Sequence, residues 1–376
     1  MEDLGVIMDP VLDFYKDKTV LVTGHTGFKG SWMTTMLVYA GAKVVGYSND
    51  EGRLLPLSGV DKEITSIIGD VRDLNKLMET FEKYQPEVVI HMAAQAIVRK
   101  SYKDPIETYS TNIMGTVNVL ECIRATKSVK SVIIVTTDKV YENKEWDYGY
   151  REIDPLGGFD PYSNSKACAE LITASYKNAY FLHKYPSIST VRAGNVIGGG
   201  DLISTDRIIP DCIKSALLKE DIQVRNPFSI RPYQHVLEPV YAYLLIAASQ
   251  YNFPEFAGTY NIGPNEEDTI STGDLVTLFT EAWGDGLKWY FARTEVNQPH
   301  EAKTLELDCS KFKKMFDWAP RWDIKTAVQK TVEWTKAWAQ GENGKDLMIK
   351  QIKEYTRLTS KISTAVIGAR IACVIE

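Results

Sequence analysis

"KTVLVTGHTGFKG", residues 18–30, decides the fold. A β-branched apolar run meets three glycines, Gly24, Gly27 and Gly30, spaced three apart, and a helical pattern follows at once. Glycines so placed permit a tight turn, let a pyrophosphate approach the backbone, and let the helix sit close on the strand, with phosphates at the helix N-terminus. Such a triplet is informative only between a strand and a helix inside a β-α-β unit. The flanking sequence supplies that setting. Strand-like runs at 18–24, 42–48, 64–70, 86–94, 130–137 and 187–195 alternate with helical patterns near 31–40, 73–84, 106–126 and 162–184. The runs are continuously apolar rather than alternating, which predicts a sheet covered by helices on both faces. The expected fold class is α/β, a Rossmann-like doubly wound parallel sheet.

After Gly200 the rhythm changes. Helical patterns at 206–220, 237–250, 271–283 and 324–340 are separated by the irregular, two-proline segment "NPFSIRPYQHV" and a short strand, "GTYNIG". Residues 1–200 are expected to form the nucleotide-binding domain and 201–355 a smaller mixed α/β substrate domain, with 236–263 returning to the first. "GENG", residues 341–344, is expected to end the last helix, and 356–376 carry no readable motif.

Bulk properties exclude several classes. The 376 residues are 44% hydrophobic and 24% charged with a net charge of −6, so no chain-wide basic field would attract nucleic acid. Five cysteines, odd in number and without C-x-x-C spacing, predict neither a disulfide framework nor a metal site. The start "MEDLGVIMDP" has no signal-peptide pattern, and no apolar run approaches the ~20 residues of a membrane span. A cytoplasmic protein that is not membrane-bound is expected.

The second strand ends in "GYSND", where Asp50 would bind ribose hydroxyls and favour NAD over NADP. Ser48 and Asn49 could serve instead, and Arg53 would suit a 2′-phosphate. Asp70 closes the third strand and would either meet adenine or cap the next helix. In "YSNSK", Tyr162 and Lys166 stand at i and i+4, on one face of a helix, where an ammonium would lower the tyrosine pKa. Tyr39…Lys43 and Tyr180…Lys184 share the spacing but fall towards helix ends. His25 and Lys29 flank the glycines within reach of cofactor phosphates, whereas His91 reads as structural.

Together these pieces resemble the extended short-chain dehydrogenase/reductase family, which joins Gly-x-x-Gly-x-x-Gly, Tyr-x-x-x-Lys and an upstream Ser/Thr. That hydroxyl is Thr136 or Thr137, with Thr136 favoured. The resemblance tightens in "TTDKVYEN", "YSNSKACAEL", "RAGNVIGGGD", "DRIIPD", "IRPYQHVLEP" and "HEAKTLELD" to the nucleotide-sugar 4,6-dehydratase branch, in particular those acting on CDP-glucose. It spans about residues 14 to 355. Ala167, Tyr233 and Leu202 depart from that branch, which usually has glycine, tryptophan and tryptophan there.

The resemblance implies a lyase of deoxysugar biosynthesis with NAD as cofactor, a nucleotide-sugar substrate and a homodimer or higher homo-oligomer packed partly through the Tyr162 helix. The alternative is another dehydratase or an epimerase of the same fold. Thr26, Phe28 and Ala93 join the implied cofactor contacts. In the implied reaction Tyr162 takes the C4 hydroxyl proton as hydride leaves C4. The ketone acidifies C5, water is lost from C5 and C6, and hydride returns to C6. The later steps need an acid–base pair that an epimerase lacks, and it is assigned to Lys139, as the base that removes the C5 proton, and Asp138, as the acid that protonates the leaving hydroxyl. The ordinary reading of those two is a solvated loop pair. Asn195, Arg207, Arg231 and, from the family-like stretch, His300 are the candidate substrate holders, because arginine forks suit phosphate. Glu301 has no derivable role.

Overall fold

The computed structural model describes residues 9–181, 185–201, 207–292 and 303–357. The six strands expected before residue 200 all form: β1 Thr19–Thr23, β2 Lys43–Ser48, β3 Thr65–Ile68, β4 Val88–His91, β5 Ser131–Val135 and β6 Ser187–Ala193. A seventh, β7 Thr259–Ile262, comes from beyond residue 200 and pairs with β6. The sheet order is β7-β6-β5-β4-β1-β2-β3, parallel throughout. The order reverses between β1 and β4, and at such a switch point the strands' C-terminal ends open a crevice.

Helices α1 Phe28–Tyr39, α2 Leu74–Tyr84, α3 Gly115–Ala125, α4 Pro161–Tyr176 and α5 Leu237–Asn252 flank the sheet. The stretch 105–125 is helical throughout, with a π turn at Ser110–Met114 ahead of α3. Pro161 stands in the first turn of α4, and Asp160 caps it by accepting from the Ser163 amide at 3.0 Å. Helix α5 is buried nearly all round, as a helix covering a sheet must be, and it packs on β5 and β6.

Two cores sandwich the sheet. One joins Val20, Val22, Ile90 and Ile133 to α1 and α5; the other joins Leu21, Val89, Val132 and Ile134 to α2 and α3. A third core lies outside it, where helices Ile208–Leu218, Thr272–Trp283 and Ile324–Ala339 meet the two-stranded sheet of Ile222–Val224 with Trp289–Phe291. Each fully buried aliphatic side chain in these cores contributes about 1.5–3 kcal/mol.

One expectation needs correcting. "GENG" does end the helix at 324–339, but Gly344 starts another, α6 Gly344–Arg357. Its Leu347, Met348, Ile352 and Tyr355 are buried in the first core, packed against α1. Only residues 358–376 of the expected tail lie outside the described residues.

Candidate active site

A cavity of about 1400 Å³ opens over the strand ends at the switch point. On its cofactor side Gly27 precedes α1, which no side chain among the described residues caps, so the first-turn N–H groups of the helix are left to a ligand at the cavity that Gly27, Phe28 and Lys29 line. A Cβ on Gly30 would lie 2.1 Å from the Gly24 carbonyl oxygen, so only glycine lets the helix sit this close; Gly24 itself has φ +74°. Thr26, Phe28, Asp50, Asp70 and Ala93 also line this side. Asp50 accepts from the Gly52 amide at 2.9 Å and from Thr26 Oγ1 at 3.3 Å, which orients its carboxylate at the end of β2. Asp70 is held by Arg72, whose bonds keep its carboxyl below the usual range, and the cap of α2 is Asp73 instead. The cradle, the uncapped helix and the carboxylate at the end of β2 fit a dinucleotide.

His25 does not face that cradle. Its ring is fully buried over Gly46, where a Cβ would lie 2.2 Å away, and Nε2 bonds Ser66 Oγ at 2.8 Å. Burial pushes its pKa down to about 4. Lys29 does line the cavity, with Nζ 3.2 Å from the Tyr243 hydroxyl. Burial, then the charges of Arg207 and Lys166, lower its pKa to about 7. His91 bonds Thr23 at 2.7 Å and Thr116 at 3.1 Å inside the protein, a structural position.

The opposite wall carries the titratable cluster. Tyr162 and Lys166 stand one turn apart on the buried face of α4. Lys166 Nζ donates to the Val135 carbonyl at 2.9 Å, and burial lowers its pKa to about 8. The expected lowering of Tyr162 by the Lys166 ammonium is not what governs the phenol here. Burial raises the phenol to about 12; a hydrogen bond with the Thr137 hydroxyl acts in the opposite direction. The other Tyr…Lys pairs cannot imitate this arrangement: Tyr39 ends α1 while Lys43 opens β2, and Lys184 lies outside the described residues.

The choice between the threonines is corrected by geometry. Thr136 Oγ1 points inward, donating to Glu170 at 2.6 Å. Thr137 is the hydroxyl beside Tyr162, and it donates to Asp138 Oδ1 at 2.8 Å. Successive side chains of an extended segment face opposite ways, so one threonine turned in puts the next one out.

Asp138 and Lys139 are no solvated pair. Lys139 Nζ lies 2.9 Å from Asp138 Oδ1 and 3.2 Å from Asn195 Oδ1, and it faces the cavity. The Asp138 side chain is 0% exposed and its Oδ2 has no partner among the described groups. A buried carboxylate behind the lysine does not reach the cavity, so this geometry corrects the expectation that Asp138 protonates the leaving hydroxyl directly. It anchors Lys139 and Thr137 instead.

Asn195, Arg207 and Arg231 all line the same cavity. Arg207 lies 3.7 Å from Asp201, and Arg231 is bonded to the carbonyls of Ile230 and Lys303 at 2.7 and 3.2 Å. His300 and Glu301 lie outside the described residues. Sequence reasoning missed Tyr243, Glu170 and Arg192. An arginine inside the buried strand "SISTVRA" was the available signal, since a buried charge demands a partner.

The sequence model described as GDP-mannose 4,6 dehydratase matches residues 21–331. A CDP-glucose 4,6-dehydratase of Salmonella typhimurium is 43% identical over 358 residues, covering 93% of this chain and 99% of that one. Among solved structures, a UDP-glucose 4-epimerase of Thermus thermophilus in complex with NAD superposes with a TM-score of 0.74 at 24% identity, over 85% of this chain and 99% of that one. A dTDP-glucose 4,6-dehydratase of Bacillus anthracis in complex with NAD gives 0.72 at 22%, over 88% and 99%. These two likenesses establish the fold alone. Sequence match and site geometry lead to one assignment: the chain belongs to the GDP-mannose 4,6 dehydratase family, within the extended short-chain dehydrogenase/reductases.

Proposed function

We infer that the protein is an NAD-dependent nucleotide-sugar 4,6-dehydratase, a lyase that converts CDP-D-glucose to CDP-4-keto-6-deoxy-D-glucose and water. The observation that carries this reading is the Asp138–Lys139 pair beside Tyr162, because oxidation at C4 needs only the tyrosine set, whereas elimination needs a further base. The 43% identity to a CDP-glucose 4,6-dehydratase supports the substrate.

The bound dinucleotide would accept hydride from C4 and return it to C6. The cradle at Gly24, Gly27 and Gly30 would hold its phosphates and Asp50 its adenosine ribose. Tyr162 would take the C4 hydroxyl proton, helped by Thr137 and by the cationic Lys166 behind it. Lys139 would then take the C5 proton as the C6–O bond breaks, and the departing hydroxyl would leave as water with the proton that Tyr162 took from the C4 hydroxyl, which returns the tyrosine to its starting state. After hydride has reached C6, Lys139 would return a proton to C5. Oxidation and reduction cancel over the cycle. Asn195, Arg207 and Arg231 would hold the diphosphate through charge-assisted bonds.

We place the nucleotide site in residues 1–200 and the substrate site largely in 201–355. Apolar Ile106, Met114 and Leu171 stand 81%, 50% and 59% exposed on the helices around α3 and α4, which supports a homodimer packed there. No helix of the described residues is long and apolar enough to cross a membrane, and the four described cysteines are free, which supports a cytoplasmic enzyme. The test is incubation with NAD and a panel of nucleotide sugars, products read by mass, using substrate deuterated at C4. CDP-glucose should lose 18 mass units and carry its deuterium to C6. Label lost to free cofactor, with no loss of water, would point to a dehydrogenase.

A further inference from the structure

The mechanism above leaves one buried charge pair unused. Glu170 lies one turn beyond Lys166 on α4, and Arg192 lies in β6; each side chain is 4% exposed. Arg192 Nε donates to Glu170 Oε1 at 2.9 Å and Nη2 to Oε2 at 3.1 Å, a two-pronged pair. The same carboxylate accepts from Thr136 Oγ1 at 2.6 Å and Thr190 Oγ1 at 2.7 Å. On its other side Arg192 Nη1 donates to the Tyr141 hydroxyl at 2.8 Å, with the guanidinium 4.9 Å over that ring, and Tyr141 donates to Asn261 at 2.6 Å.

Thr136 and Tyr141 are the two ends of the loop that carries Thr137, Asp138 and Lys139. Both ends are therefore tied to one ion pair, and through Glu170 to the helix that carries Tyr162 and Lys166. We propose that Glu170 and Arg192 are positioning residues for dehydration, a clamp that keeps the Lys139 loop in register with Tyr162 while the 4-keto sugar is held.

The argument starts from energetics. A buried ion pair is a weak source of stability, since well-packed apolar replacements are often neutral or better. What this pair provides is direction. Its carboxylate draws Thr136 inward and so turns Thr137 outward to Tyr162. The inference rests on the dehydratase reading, because only a two-stage reaction needs a base on the loop as well as the tyrosine on the helix. Oxidation at C4 uses Tyr162 and Lys166 on α4, with Thr137 of the loop only assisting; removal of the C5 proton depends wholly on the loop's Lys139. A shift of ~1 Å between them would cost ~10²-fold in the second stage and less in the first, which loses only the assistance of Thr137.

The test is rapid mixing of holoenzyme with CDP-glucose in heavy water. The rise and decay of reduced-cofactor absorbance and deuterium uptake at C5 are followed. The variants are Thr136→Val and the paired apolar replacement Glu170→Leu with Arg192→Met. Expected is a rise slowed ~10-fold at most, the loss that a displaced Thr137 would bring, with decay and C5 uptake slowed ~10²-fold or more beyond that in the pair and less in Thr136→Val. Reduced cofactor then accumulates in the variants and not in the wild type. Equal slowing of rise and decay, as from general structural damage, overturns the clamp; so does an unchanged decay. If the pair does not fold, Thr136→Val decides by the same ratio. Wild-type enzyme that forms no dehydrated product sinks the dehydratase reading itself, a separate outcome.

Discussion

Replacing Lys139 by methionine separates a working base from an ordinary loop cation. The change keeps the unbranched side chain to within one atom of its length and removes an ammonium 2.9 Å from Asp138 and 3.2 Å from Asn195. Asp138 is fully buried with one oxygen already unpartnered among the described residues, so losing that contact costs about 1–3 kcal/mol of folding stability. Against the roughly 5–15 kcal/mol of a typical domain, the variant stays folded. Its chemistry should suffer more. A positioned general base contributes about 10²–10⁴-fold, so turnover should fall by ~10²-fold or more, about 2.7 kcal/mol of barrier. Single-turnover absorbance should still show the reduced cofactor forming at near the wild-type rate, since Tyr162, Thr137 and Lys166 are untouched. Deuterium uptake at C5 should stop. Chemical denaturation would confirm that unfolding does not explain the loss. Near-normal turnover, or loss of oxidation together with exchange, would refute the assignment of Lys139.

Three further outcomes follow from the geometry. Thr137→Val should slow the initial oxidation ~10-fold or more, the pH profile of that step moving to higher pH as Tyr162 loses the bond that lowers its pKa, whereas a main effect on decay would place Thr137 elsewhere. Asp50→Ala should weaken NAD binding by about 1–3 kcal/mol, read by calorimetry; unchanged affinity would mean that the ribose is read by another group. Glu238, buried on α5, has its pKa raised to about 7 by burial, so it stabilises the fold fully below the ordinary carboxyl pKa of 4.5 and loses that contribution as pH rises through about 7. Glu238→Gln should therefore flatten the fall in stability between those pH values, with a parallel slope in both proteins counting against the titration of Glu238.

The sheet was legible because continuous apolar runs between helical patterns admit few other arrangements. The cofactor side was legible for a related reason: glycine spacing reports a backbone shape that few other sequences need. The rest was hidden by what a linear reading cannot show. Val135 and its neighbours are buried on both faces, so burial gave no parity, and the inward turn of Thr136 depends on Glu170, 34 residues away. Asp138 and Lys139 were readable as an acid beside a base, but not as one hidden behind the other. The helix Gly344–Arg357 escapes the sequence reading because "GENG" has the composition of a terminus, although Leu347, Met348, Ile352 and Tyr355 follow a helical period. His25 looked like a phosphate contact by adjacency alone, yet its ring turns away over Gly46.

The late arrival of β7 affects how the chain is made. During synthesis the first six strands emerge well before Thr259–Ile262, and α5, which covers β5 and β6, is also still to come. Until then β6 is an open edge and its neighbouring face is bare, the condition in which nascent sheets join the wrong partner. The nucleotide half cannot finish folding on the ribosome by itself; it waits for some 60 residues of the other half. A chain cut near residue 200 would expose that edge permanently, and a fusion boundary placed there would yield aggregate rather than a smaller nucleotide-binding module.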